Sequence, residues 1–289
     1  MKNLFLSIIL IGAIYCAPLT ASAQIRTPAA SPTATLTQQV GLTDVIITYS
    51  RPSVKGRAIF GGLVPYGELW RTGANASTKI SFSDPVKVEG NSIPAGEYAI
   101  YTIPEQEQWT VILHKNTGYW GTGGPGYNKE EEAVRFVVKP RQLTETVNSF
   151  TIELTDMTLN TANVEIAWEK TAVKFQIEAD VDAKVMADID RQIINRDANS
   201  AGMYHQAATY YFETGKDLNQ ALEWATKASE ASGGAFYMTH LKAKILAAQN
   251  KKKEAIAAAE ESIKASKAVN NMDYVRLNEE LIKEVKKQK

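Results

Sequence analysis

The chain has 289 residues, 32 Lys+Arg against 32 Asp+Glu, and one cysteine, Cys16. That length allows one or two domains, each able to bury a core. The balanced charge gives no global field toward nucleic acid or an anionic membrane, so neither is expected as a partner.

The N-terminus, "MKNLFLSIILIGAIYCAPLTASAQ", carries one Lys, an apolar run over residues 4–16, and then small residues. Ala21-Ser22-Ala23 supplies an A-x-A site. The pattern is that of a secretory signal peptide over residues 1–23, cleaved between Ala23 and Gln24, with a secreted or periplasmic product. Tyr15 occupies the position where a lipoprotein signal centred on Cys16 carries a small residue. The run is shorter than the about 20 residues a membrane span needs, so no transmembrane anchor is expected. Once Cys16 is removed, the chain has no disulfide, thiol nucleophile or cysteine metal ligand. Residues 24–36 read as a flexible N-terminal segment.

Residues 37–179 read as one β-domain, and from Val45 to Ile177 the pattern has a period of two. "VIITYS", "KISFS", "VKVEG", "YAIYTI", "WTVILH", "VRFVV", "SFTIEL", "NVEIAWE" and "AVKFQI" are β-branched or aromatic and are separated by Gly, Pro or Asn. No long helical pattern interrupts them, which argues against parallel βαβ units. About nine strands at this spacing predict an antiparallel β-sandwich, jelly-roll-like.

Two loops stand out. In the first, Arg51, Lys55, Arg57, Arg71 and Lys79 accompany a single acid, Glu68. Gly61-Gly62 and Pro65-Tyr66-Gly67 force turns, and Trp70-Arg71 leads into Thr72-Gly73-Ala74-Asn75. Arginine forks bind carboxylate or phosphate bidentately, and Asn in a tight turn donates to a ligand or to backbone. Arg57, Tyr66, Glu68, Trp70, Arg71 and Asn75 are therefore candidate ligand-binding residues. The same residues could instead staple the loop shut, with Arg57 or Arg71 pairing with Glu68. Both readings stay open. The second loop, "GYWGTGGPGY", offers Tyr119, Trp120 and Tyr127 beside glycines, and such rings stack on sugars or clamp peptides. Its literal G-x-G-x-x-G, Gly121-Thr122-Gly123-Gly124-Pro125-Gly126, contains a proline and lacks both a following lysine and a βαβ setting, so no nucleotide cofactor is expected.

"RPSVKGRAIFGGLVPYGELWRTGANAST", "IPAGEYAIYTIP" and "WTVILHKNTGYWG" carry a resemblance to the secreted bacterial family called domain of unknown function 2911, over about residues 37–177. The resemblance implies a secreted or envelope β-domain and no activity. The helical tail that follows is similar to extensions on some members.

Catalytic signatures are missing. His114, His205 and His240 show no metal-ligand spacing, and no metal is expected. His114 follows Leu113 on the opposite strand face and suits packing better than base catalysis. There is no G-x-S-x-G elbow, Ser53-Val54-Lys55 lacks the S-x-x-K spacing, and Glu130-Glu131-Glu132 reads as a solvated face.

Residues 180–289 turn helical. Val181, Val185, Ile189 and Ile193 recur every fourth position. "AATYYFETGKDLNQALEWATKASE" then resembles "LKAKILAAQNKKKEAIAAAEESIK", and Ala221 and Ala255 stand 34 apart, the tetratricopeptide period. Ala208, Tyr211, Gly215, Ala221, Ala225 and Ala228 correspond to Ala243, Leu246, Asn250, Ala255, Ala259 and Ser262. A last helix burying Val275, Leu277, Leu281 and Val285 caps the array. Such arrays bind peptide segments or brace an assembly.

The whole predicts a β-domain followed by a short tetratricopeptide-like array. The leading function is a non-enzymatic binding module for a polar or anionic small ligand or glycan, with a protein partner at the helices. The rivals are an envelope glycan or peptide hydrolase and a purely structural assembly subunit.

Overall fold

A computed structural model describes residues 27–194 and 200–287. The signal pattern and its Ala23/Gln24 cleavage site lie outside the described residues. Ten strands come first, all paired antiparallel: β1 (Thr33–Val40), β2 (Thr43–Ser50), β3 (Thr78–Phe82), β4 (Val86–Val88), β5 (Asn91–Ile93), β6 (Gly96–Pro104), β7 (Trp109–His114), β8 (Glu132–Val138), β9 (Arg141–Thr155) and β10 (Thr161–Ala179). They form a six-stranded sheet, β1-β2-β3-β6-β7-β8, and a four-stranded sheet, β5-β4-β10-β9. Alternate residues of both sheets meet in one core that includes Ile47, Ile80, Ile100, Val111, Ile152, Val164 and Phe175. Six helices follow: α1 (Val181–Ile189), α2 (Ala201–Glu213), α3 (Leu218–Ala231), α4 (Phe236–Ala248), α5 (Lys252–Ala268) and α6 (Met272–Lys287).

Three differences from the sequence pattern have physical causes. β1 alternates intermediate with exposed positions because it is a sheet edge, and Ala34 and Leu36 are its only partly buried apolar contacts with the core. That face is too thinly apolar to announce a strand. "NVEIAWE" and "AVKFQI" are one strand, β10, bent at Glu169 (φ 54°) where the register shifts. Core-facing positions are even-numbered up to Trp168 and odd-numbered from Val173, as one inserted residue requires. In α6, Leu277 is 45% exposed and Asn278 is fully buried. Asn278 donates to Ser262 Oγ (2.9 Å) and Tyr274 O (2.7 Å) and accepts from His240 Nδ1 (2.8 Å), so a satisfied polar side chain fills the core position.

β6 and β7 are buried on both faces. Tyr98, Ile100, Val111 and Leu113 face the main core, while Ala99, Tyr101 and Ile112 form a second cluster with Leu69 and Tyr127 from the two loops. Each loop thus covers part of the large sheet's outer face, and an isolated bridge between Ala76 and Trp120 joins them.

The α1 stripe serves two cores. Val181 belongs to the sandwich core, Ile189 and, in the π-helical turn Asp190–Ile194 that continues α1, Ile193 belong to a helical cluster, and Val185 packs against both. Asp180 caps this helix, its Oδ1 accepting from Ala183 N. The β1–β2 turn meets α1 closely: Gly41 has φ 58°, and a Cβ there would lie 2.3 Å from Val181 Cγ2. α2 and α3 pack through Ala207, Ala208, Ala221, Ala225 and Ala228, while α4 and α5 pack through Ala243, Ala247, Ala255, Ala258 and Ala259. Small residues let these helix axes approach closely. Gly215 (φ 69°) and Asn250 (φ 59°), which correspond in the two repeated segments, both take the left-handed conformation just past α2 and α4.

Candidate functional site

Residues 51–77 connect β2 to β3, neighbours in the six-stranded sheet, and on the way they bond to strands of both sheets. Val54 N donates to Asn148 O (2.7 Å) and Phe150 N to Pro52 O (2.8 Å), which ties the loop's start to β9. Trp70 N donates to Thr102 O (2.7 Å) and Thr102 N returns to Trp70 O (2.9 Å), which ties its end to β6. Between these anchors Ile59, Phe60, Val64 and Trp70 plug the sandwich. Trp70 lies 5.4 Å from Phe150 edge-on and 6.0 Å from Trp168 in a near-parallel stack, and Phe60 lies 4.8 Å from Trp109. Leu69 and Trp70 take opposite faces, as neighbours in extended backbone must.

The chain then turns sharply. Thr72 (φ 55°), Gly73 (φ 142°) and Asn75 (φ 60°) all have positive φ. Thr72 is β-branched and fully buried, so this conformation is strained and is held by its surroundings. Its Oγ1 shares a hydrogen bond with Thr102 Oγ1 (3.1 Å), and Thr78 Oγ1 donates to its carbonyl. Trp70 Nε1 donates to Gly73 O (3.1 Å). Asn75 Nδ2 donates to Ser31 O (3.3 Å) and Ser50 Oγ (3.2 Å), and so stitches the turn to β2 and to the segment before β1.

This architecture leaves a cavity of about 290 Å³, bounded by Lys55, Arg57, Arg71, Trp70, Trp168 and Gly73 among others. Arg57, Trp70 and Arg71, singled out from the sequence, meet here. Asn75 supports the wall through Ser31. Trp168 is the residue that the pattern hid, because in a period-two strand it looks like ordinary core. Glu68 is exposed, and no ion pair joins it to Arg57 or Arg71 among the described residues. The loop is instead fastened by backbone pairing and by Arg57, which donates from Nε to Val54 O (3.0 Å) and from Nη2 to Ser53 O (2.6 Å). Tyr66 packs its ring over Gly61 and lines a separate hollow beside Trp109 and Arg141.

The glycine-rich loop builds a different place. His114 is fully buried, with Tyr119 and Tyr127 rings 5.4 and 4.8 Å away. Asn116 N donates to its Nδ1 (3.0 Å), so Nε2 carries the proton and donates to Asn128 O (2.8 Å). Both ring nitrogens are used by backbone, which leaves His114 a packing role. Tyr127 Oη donates to Glu132 Oε1 (2.9 Å). Burial, and then that carboxylate, push the Tyr127 phenol far above its usual range. Arg135 grips Glu132 bidentately at 2.6 and 2.8 Å, and Tyr119 Oη donates to Glu131 Oε2 (3.2 Å). Trp120 is 77% exposed at the loop tip. The nine sequence candidates therefore do not form one site.

Among the described residues no group of three His, Cys, Asp or Glu side chains could hold a metal ion, and no helix is long and apolar enough to cross a membrane. The family model described as "Protein of unknown function (DUF2911)" matches residues 31–177, about half the chain, and the chain belongs to that family. No curated protein and no solved structure matches it.

Proposed function

We propose that this member of the DUF2911 family is a non-enzymatic binding module, exported after cleavage between Ala23 and Gln24, that takes a small polar or charged ligand in the cavity of its β-domain. The observation that carries this is the meeting of Arg57, Trp70, Arg71 and Trp168 around one cavity. Its lining offers donors and aromatic faces, whereas a hydrolase needs an acid or base within reach of the bound substrate. A ligand of this size is oriented by a few polar groups against apolar walls. The helical region presents the surface for a protein partner. Met203, Tyr237, Met272 and Leu277 are exposed there, and stacked helix pairs commonly use such surfaces for peptides.

The test is a thermal-shift screen of the exported chain against small sugars, amino acids and organic acids, with tryptophan fluorescence followed in parallel. A ligand that raises Tm and changes fluorescence, and does neither with Arg71→Ala, is the expected result. Hydrolysis of a glycan or peptide by the parent chain, lost in Arg71→Ala, would replace binding with catalysis. Intact mass of the secreted chain checks export: a start at Gln24 is expected, and retention of Met1 or a lipid on Cys16 contradicts it.

A further inference from the structure

Two residues on the cavity wall each carry a buried side-chain nitrogen with no hydrogen-bond partner among the described residues: Arg71 Nε and Trp168 Nε1. Trp168 is only 1% exposed, so bulk water does not serve its indole. Buried donors in native proteins are nearly always paired, and two on residues lining one cavity need a common explanation. Of the nearby carbonyls, those of Ser53 and Val54 accept from Arg57, and that of Gly73 accepts from Trp70 Nε1. Lys55 and Arg57 add positive charge to the lining, and none of the lining residues is a carboxylate. Among the described residues no ion pair neutralises Lys55, Arg57 or Arg71. The cavity, about 290 Å³, far exceeds the roughly 30 Å³ that one water occupies.

Resting on the binding-module reading above, we infer that the ligand is an organic oxyanion, a carboxylate or phosphate ester, whose oxygens accept from Arg71 Nε and Trp168 Nε1. An ionised oxyanion is acceptor-only, which complements walls whose free groups are donors. Leu63, Val64 and the indoles of Trp70 and Trp168 give its apolar body a surface. Arg57 contributes charge from a fixed position, since two of its nitrogens are committed to backbone. Arg71 is the adaptable fork.

Calorimetric titration with benzoate, phenyl phosphate and benzamide tests this on the whole exported chain and on Arg71→Gln and Trp168→Phe. Phenylalanine keeps an aromatic ring in the core while removing the donor, and circular dichroism verifies that each variant folds. At least one anion should bind roughly tenfold more tightly than benzamide, and each variant should lose about that factor for the anion alone. Stronger binding of benzoate assigns a carboxylate, and stronger binding of phenyl phosphate assigns a phosphate ester. Equal binding of benzamide and the anions, or unchanged anion affinity in both variants, overturns the oxyanion inference and leaves the binding module standing. Silence of all three probes overturns it as well. If the broader screen of sugars and amino acids is also silent, the binding module falls with it.

Discussion

The sandwich and the helical tail treat buried polar groups differently. In the tail they mostly satisfy one another: Ser229 with Thr239 at 2.8 Å, Ser262 with Phe236 O at 2.7 Å, and Asn278 with three partners. His205 Nδ1 and Gln249 Oε1 are the exceptions there. In the sandwich, Arg71 Nε and Trp168 Nε1 go without a hydrogen-bond partner among the described residues, and both sit on the wall of one cavity. A closed polar network adds rigidity and specificity to a packed framework. Open donors beside a cavity hold capacity for something else. The helices have the chemistry of a scaffold and the sandwich has the chemistry of a site.

The largest expected effect comes from the plug itself. Trp70→Ala removes the ring packed on Phe60, Phe150 and Trp168, and should destabilise the β-domain by about 3–5 kcal/mol in chemical denaturation. A near-parental midpoint would mean that the loop is draped over the core and does not plug it. In the tail, Asn278→Ala strands the His240 Nδ1 donor and leaves Ser262 with only its bond to Phe236 O, at a cost of about 1–3 kcal/mol read from the helical far-UV signal. Equal stability would show that the network is dispensable and would blur the contrast between the regions.

Acid should separate the regions too. Burial lowers the His205 imidazole below its usual 6.5, and burial, opposed in part by the bond to Asn278, does the same to His240. With folded values depressed, the unfolded chain binds more protons in this window, so stability rises with pH. Stability of the helices should therefore fall as pH drops through and below 6.5. Replacing both histidines with glutamine should flatten that dependence, and an unchanged profile would assign it elsewhere. The smallest effect belongs to Arg71→Ala. No carboxylate pairs with Arg71 among the described residues, so the loss should stay within about 0–1 kcal/mol although binding is lost. Glu68→Gln should melt like the parent. A loss several times larger in either variant would restore the arginine staple.

Much of the fold was legible because period two and period 3.6 are strong signals and the chain changes from one to the other near residue 180. The junction was harder to read. The α1 stripe looked like one helix face, and only packing shows that Val181 serves the sandwich while Ile193 serves the helices. The concentration of Arg57, Trp70 and Arg71 in a turn-rich loop marked the cavity, since such side chains need something to order them. Trp168 was illegible because a tryptophan in an alternating strand ordinarily means core. Its free indole N–H is a property of what surrounds it, and no local pattern encodes that. Tyr119 and Tyr127 looked like free stacking surfaces, yet they close back over His114, at the end of the strand that leads into their own loop. Asn278 lies where a helical period calls for an apolar residue, and its partners are 16 and 38 positions away.

The central claim is that Trp168 Nε1 waits for an acceptor inside the cavity. The chain has five tryptophans, so its indole N–H groups give a small set of nuclear magnetic resonance signals that single Trp→Phe variants assign. Adding benzoate or phenyl phosphate should move the Trp168 signal downfield as it gains a hydrogen bond, with a smaller change at Trp70, whose N–H is held by Gly73 O, and none at Trp224 in the helices. A Trp168 signal that stays fixed while either anion saturates the protein would contradict the account.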